Sequence, residues 1–94
     1  MIVVWTEPAL RDREDIILFI ADDNVDAAIE MDTAFTNTSN SLAKFPFRGR
    51  LGRVNNTREL VVHKNYILVY GIDNTNCVVY IKSVLHTAKQ YPPE

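Results

Sequence analysis

The order of apolar and polar residues divides the chain into a helical first half and a strand-rich second half. In the second half, short β-branched and aromatic runs predict strands over residues 57–63, 66–72 and 77–84. A similar run over residues 2–5 predicts a first strand. Lys64 and Asn65 form a plausible turn between two of these strands, because asparagine tolerates a positive φ.

Two helices are predicted between the first strand and the others. Thr6 can cap the first helix, which ends near residues 21–24, and Asn24 can cap the second. The second helix is predicted from one stripe of side chains spaced three and four residues apart: Ala28, Met31, Phe35, Thr38, Leu42 and Phe45. The Phe45-Pro46 step ends this helix, because a residue before proline avoids the helical region.

The resulting order is β-α-α-β-β-β. It predicts an α+β fold in which a helical hairpin lays one apolar face onto a small, mainly antiparallel sheet. A chain of 94 residues without a recognisable linker is expected to form one domain over residues 1–94.

Composition narrows the possible classes of protein. No apolar run approaches the ~20 residues that span a bilayer, and no signal peptide is readable, so we expect a cytoplasmic protein that does not enter a membrane. The single cysteine, Cys77, excludes an intrachain disulfide and is expected to pack inside a strand. His63, His86 and Cys77 lack metal-ligand spacing, and no phosphate-binding loop is present, so neither metal nor cofactor is expected.

Charge is distributed unevenly along the chain, although the net charge is only −2. Residues 7–32 hold nine acidic and two basic side chains, whereas residues 33–94 hold eight basic and three acidic ones. This asymmetry suggests a polyanionic partner for the basic half. The alternative is that the two halves attract one another.

Four arginines are the best candidates for anion binding. Arg48, Arg50 and Arg53 occupy a connection punctuated by glycines, and their guanidinium groups match phosphate oxygens. The alternative is a solvated loop. Arg58 begins a strand beside Glu59, where it could bind phosphate or form an Arg–Glu pair at the sheet edge.

Three residues near strand ends and in the tail could take part in chemistry or RNA binding. His63 and His86 could each transfer a proton or hold a phosphate, although structural roles are more common for lone histidines. Tyr91 could stack on a base or simply cover the core.

Three segments resemble one known family. They are W-T-E-P-A-L-x-D near the start, G-R-x-G-R-V-x-x-T-R-E-L-V-V-x-x-N-Y-x-L-V-Y in the middle, and V-L-H-T-A-x-Q-Y-P at the end. In this order they resemble the RelE/ParE superfamily of toxins from type II toxin–antitoxin pairs, particularly its RelE/StbE-like branch. The resemblance covers nearly the whole chain and implies the same α+β fold.

The resemblance also implies activities and partners. RelE-type members cut mRNA in the ribosomal A site, and ParE-type members inhibit DNA gyrase without being nucleases. An adjacent gene encodes the antitoxin that neutralises either kind, often in a hetero-oligomer. The expectation is a ribosome-dependent mRNA endonuclease; the alternatives are a gyrase inhibitor and an inactive fold that still binds antitoxin.

For the nuclease, the resemblance implies two groups of residues. The catalytic positions would be Arg58, which stabilises phosphate charge while the 2′-OH of the RNA attacks, and His86, which acts as general acid or base. RNA would also be contacted by basic, polar and aromatic side chains of the connection, the turn and the tail: Arg48, Arg50, Arg53, His63, Lys64, Lys89, Gln90 and Tyr91.

Overall fold

A computed structural model describes residues 1–63, 65–88 and 92 of the chain. The elements follow in the order β1 (Ile2–Trp5), α1 (Glu7–Asp23), α2 (Val25–Ser41), β2 (Arg50–Leu51), β3 (Arg58–His63), β4 (Tyr66–Asp73) and β5 (Val78–His86). The predicted α+β fold, with a helical hairpin against a sheet, is confirmed.

The five strands form one mixed sheet in the order β1-β5-β4-β3-β2. The sheet is mainly antiparallel, as predicted, and its parallel pair joins β1 to β5 with Ile2 opposite Val78. Strand β2 was not expected, because its two residues lie in a segment of arginines and glycines that reads as a loop. It forms by pairing Arg50 with Glu59 and Leu51 with Arg58.

The core lies between the helical hairpin and one face of the sheet. The predicted stripe of α2 faces this core through Ala28, Met31, Phe35 and Leu42. The sheet contributes alternate side chains, including Tyr66, Leu68, Tyr70, Val79 and Ile81. In the described part of the chain, neither helix is long and apolar enough to cross a membrane.

The two predicted helix caps have different outcomes. Asn24 caps α2 as predicted, since its side-chain oxygen accepts a hydrogen bond from the Ala27 amide at 3.0 Å. Thr6 occupies the N-cap of α1 but its side chain does not cap it. Its hydroxyl instead donates to the Ile81 carbonyl at 2.7 Å and thereby ties the start of α1 to β5.

Phe45 and Cys77 depart from the predictions. Helix α2 ends at Ser41, four residues earlier than expected, so Phe45 leaves the stripe and is 56% exposed. Cys77 lies in the turn before β5 with a φ of 57° and an exposed side chain, not inside a strand. The strand predicted over residues 77–84 also ends later than expected, because β5 continues to His86.

Candidate functional site

Glu59 lies at the centre of the arginine-rich connection. Its carboxylate is only 1% exposed and accepts hydrogen bonds from the Arg50 guanidinium at 3.1 Å and from the Arg53 guanidinium and amide at 3.0 and 2.9 Å. The side chain of Glu59 therefore joins β2 and the following turn to β3. An Arg–Glu pair at the sheet edge thus does form, as in the alternative considered for Arg58, but its arginines are Arg50 and Arg53.

These hydrogen bonds fix the charge state of Glu59. The hydrogen bond from the Arg53 side chain is the largest cause that lowers the pKa of Glu59 from 4.5 to about 2, and burial opposes it. Glu59 is therefore a carboxylate at neutral pH. The side chains of Arg50 and Arg53 remain 62% and 45% exposed while they hold it.

The side chain of Tyr70, which projects from β4, holds the backbone segment between α2 and β2 in place. Its buried hydroxyl donates to the Pro46 carbonyl and accepts from the Gly49 amide, both at 2.8 Å. Burial raises the pKa of Tyr70, so the group stays a neutral phenol that can donate and accept. The connection is therefore not the freely mobile loop that its glycines suggest.

Arg58 braces the same segment. Its guanidinium donates to the Gly49 carbonyl at 2.8 Å and lies 5.0 Å from the centre of the Phe47 ring. Arg58 also lines an open cavity of about 280 Å³ together with Phe47, Thr57 and Tyr70. Arg58 thus uses part of its hydrogen-bonding capacity within the protein and also borders this cavity.

Large apolar side chains project outward from this braced segment. Phe45, Phe47 and Leu51 are 56%, 59% and 78% exposed. Lys44 lies 5.7 Å from the Phe45 ring, and Arg48 is exposed with its guanidinium donating to the Ser41 hydroxyl at 2.9 Å. The segment consequently combines exposed aromatic rings with positive charge.

His86 lies at the other end of the sheet. Its ring packs edge-on against Tyr66 with the ring centres 5.2 Å apart, and its Nδ1 accepts a hydrogen bond from the Ala88 amide at 3.0 Å. Asp12 and Asp15 of α1 line a cavity of about 120 Å³ beside it. The His86 ring is therefore next to carboxylates instead of arginines.

The register of the sheet separates the two predicted catalytic residues. Arg58 is opposite Tyr70 on β4, whereas His86 is opposite Tyr66. Four residues of strand correspond to about 13 Å, and the fully buried Leu68 lies between these two positions. The backbone positions of Arg58 and His86 are therefore well separated along the sheet.

The other predicted RNA-binding residues are dispersed or undescribed. Arg50 and Arg53 meet at the Glu59 carboxylate, whereas Arg48 donates to Ser41 at the end of α2. The exposed His63 ends β3 opposite Tyr66. The predicted contacts Lys64, Lys89, Gln90 and Tyr91 lie outside the described residues. Their roles stay predictions.

Sequence reasoning missed the two residues that organise this site, Glu59 and Tyr70. A signal for Glu59 was present, because it is the only acid between residues 33 and 72 and stands in an apolar strand. Tyr70 carried no comparable signal, since an aromatic residue in a core strand is ordinary. Only its hydroxyl contacts reveal its role.

Comparison with known proteins agrees with this architecture. Residues 3–91 match the family described as the ParE toxin of the type II toxin–antitoxin system parDE. The chain is 37% identical over 89 residues to the candidate toxin Y4kP of Sinorhizobium fredii, covering 94% of this chain and 90% of that protein. It is 36% identical over 87 residues to Toxin RelE2 of Caulobacter vibrioides, covering 93% and 96%.

Solved structures show the same fold. A chain of the chromosomal ParDE system from P. aeruginosa superposes with a TM-score of 0.77 at 16% identity, covering 92% of this chain and 95% of that one. A chain of the RelBE2 toxin–antitoxin complex from Mycobacterium tuberculosis superposes with a TM-score of 0.61 at 26% identity, covering 90% and 95%. The fold, the family match along almost the whole sequence and the two curated relatives agree, and the chain belongs to the ParE toxin family of the RelE/ParE superfamily.

Proposed function

We propose that this toxin acts as a protein ligand that inhibits DNA gyrase, without cutting RNA. The observation that carries the proposal is the separation of Arg58 from His86, with Leu68 between their positions. Cleavage by the expected route needs a cation and a proton-transfer group at the same phosphate. The match to the ParE family supports the same choice, because ParE-type members inhibit gyrase.

The environment of each residue gives further support. The Arg58 guanidinium donates to a backbone carbonyl and covers a phenylalanine ring, which are the contacts of a bracing residue. The His86 ring adjoins Asp12 and Asp15, whose negative charge repels a phosphate backbone. A basic surface with exposed aromatic rings suits recognition of a protein surface.

The experiment compares two activities of the purified toxin. A gyrase supercoiling assay measures inhibition as the toxin concentration rises, and primer extension on a translated message with purified ribosomes detects cleavage. We expect blocked supercoiling and an intact message. Cuts within codons, with gyrase unaffected, would reject the proposal, and inactivity in both assays would indicate an inactive fold that binds only antitoxin.

We further propose that a cognate antitoxin neutralises the toxin in a hetero-oligomer in the cytoplasm, where its target works. The expected contact is an acidic or amphipathic antitoxin segment that folds on binding and covers basic surface from Arg48 to Arg58. Support comes from the solved relatives, which belong to toxin–antitoxin systems. A complex with the protein of the adjacent gene that left these arginines fully exposed would disprove the masking.

The second candidate function is ribosome-dependent mRNA cleavage. The observation that favours it is the cavity of about 280 Å³ that Arg58 lines, together with the 36% identity to Toxin RelE2. Arg58 and His86 would be catalytic, and the arginines of the connection, His63, Lys64, Lys89, Gln90 and Tyr91 would contact RNA.

Paired variants test this second candidate. Arg58→Ala should then abolish cleavage more completely than Arg50→Ala, because the neighbouring Arg48 or Arg53 can replace Arg50 as a phosphate contact. Circular dichroism checks that both variants fold. Equal cleavage by the two variants would remove Arg58 from the mechanism.

A further inference from the structure

Two phenylalanines project from a backbone that is already fixed. Phe45 and Phe47 are more than half exposed, yet the Pro46 carbonyl and the Gly49 amide between and after them are held by the buried Tyr70 hydroxyl. Large aromatic side chains on a rigid support lose little conformational freedom when they bind a partner. This combination is a property of interface anchors.

The charged residues that neighbour Phe45 and Phe47 in the sequence are all basic. Residues 43–58 contain five basic side chains and no acidic one. The nearest acid along the chain, Glu59, is buried, and its carboxylate is held by Arg50 and Arg53. Lys44 and Arg48 stay exposed beside Phe45 and Phe47. A complementary surface would therefore be acidic at its rim and apolar at its centre.

We propose that Phe45 and Phe47 are the anchor residues with which the toxin binds its folded protein target, where they enter an apolar pocket bordered by acidic side chains. Lys44 and Arg48 face that acidic border. This inference rests on the proposed function, so the target is DNA gyrase. It assigns the binding surface to the segment between α2 and β2.

A folded target fits this surface better than a disordered segment does. Anchor side chains that protrude from a protein surface bind in a preformed pocket on the partner. A segment that folds on binding instead lays its apolar face into a groove. Phe45 and Phe47 project outward on a braced turn, which is the geometry of the first case.

The test measures binding of the full-length toxin to purified DNA gyrase. The double variant Phe45→Ala, Phe47→Ala should raise the Kd at least about 30-fold, as expected for the loss of an aromatic hot spot. The matched control is Phe19→Ala on α1, a phenylalanine that is 78% exposed at the opposite end of the helical hairpin, and its Kd should change less than about twofold. Circular dichroism and urea unfolding verify that both proteins fold.

A second variant tests the charged border. Lys44→Gln with Arg48→Gln should lower the association rate with gyrase at low salt and make the rate less dependent on ionic strength. A rate unchanged at every salt concentration would contradict the proposed acidic border.

The outcomes separate this inference from the function on which it rests. A wild-type toxin that does not bind gyrase overturns the proposed function and the inference together. A double variant that binds gyrase as tightly as the wild type overturns the inference alone. The inference is also overturned if the double variant still binds gyrase but no longer binds another partner. Such a partner could be single-stranded RNA, the antitoxin or a second copy of the toxin.

Discussion

The amide nitrogen of Gly49 lies 2.8 Å from the hydroxyl oxygen of Tyr70, at a point where the backbone has no room for a side chain. A Cβ at residue 49 would be 2.6 Å from this oxygen and 2.8 Å from the Glu59 carbonyl. Tyr70 and Glu59, which supply these two oxygen atoms, are both buried. Glycine is therefore required here by close approach, not by a positive φ.

Gly49→Ala should lower the free energy of unfolding by about 1–3 kcal/mol, because the Tyr70 ring or the β3 backbone must shift. Gly71→Ala is the matched control. Its Cβ would meet the Cε of the exposed Lys82 at 2.9 Å, and a flexible side chain moves at little cost. Urea unfolding of both variants measures the difference, and equal losses would show that the contact with Tyr70 is not restrictive.

Glu59 should make the stability of the fold depend on pH in acid. Its folded pKa of about 2 lies below its ordinary value of 4.5, so its contribution is complete above pH 4.5 and is lost as the pH falls toward 2. Up to about 3 kcal/mol should disappear over this range. Glu59→Gln should be less stable at neutral pH and should lack this part of the acid transition. Parallel stability curves for the two proteins would disprove the role of Glu59.

Arg13 joins the two helices to the first strand. Its guanidinium lies 4.7 Å from the Trp5 ring centre, pairs with Asp32 at 2.9 Å and donates to the Thr36 hydroxyl at 2.7 Å, with only 17% of the side chain exposed. Arg13→Lys keeps the charge but loses the planar fork and the stacking, so it should cost about 1–2 kcal/mol.

The matched control for Arg13 is Arg11→Lys. The Arg11 side chain is 70% exposed, and among the residues that the structure describes it pairs with one exposed glutamate on its own helix, Glu7. Exposed pairs of this kind contribute little, so the control should change the free energy of unfolding by less than about 0.5 kcal/mol. Thermal or urea unfolding compares the two variants, and similar losses would contradict the bracing role of Arg13.

His86→Gln separates a structural from a catalytic histidine. If the toxin inhibits gyrase as a ligand, the variant should block supercoiling at the same concentration as the wild type. If His86 were a general acid or base, the variant would fold and lose about 10²–10⁴-fold in mRNA cleavage. Growth arrest on induction and the supercoiling assay, run on both proteins, decide between these roles.

Periodicity predicted the elements of this fold except β2, and it did not predict the ends of α2 and β5. Ala28, Met31 and Phe35 define the buried stripe because packing against a sheet demands that spacing. Phe45 continues the stripe in sequence, yet the chain has already left the helix at Leu42. The spacing of side chains does not report where backbone hydrogen bonds stop, so this end could not be read from the sequence.

The sequence indicated which residue types make up the candidate site, but it did not indicate how these residues are arranged in space. The arginines between residues 48 and 58 are visible in the sequence, and in the structure Arg50 and Arg53 hold the Glu59 carboxylate while Arg58 donates to Gly49. Which of them Glu59 would hold depends on the short pairing of β2 with β3, and two residues carry too little pattern to predict a strand. The separation of Arg58 from His86 likewise follows from strand register, which becomes visible only when β3, β4 and β5 are aligned.

The parallel pairing of β1 with β5 has a consequence for synthesis of the protein. The first strand finds its partner only in residues 78–81, near the other end of the chain. At about 5–20 residues per second, a ribosome needs several seconds to make the intervening chain. During that time the apolar side chains of β1 and the α1 face beneath β5 lack their final neighbours. A chain terminated before β5 therefore cannot complete the five-stranded sheet, and the ability to arrest growth should arise only after β5 has been synthesised.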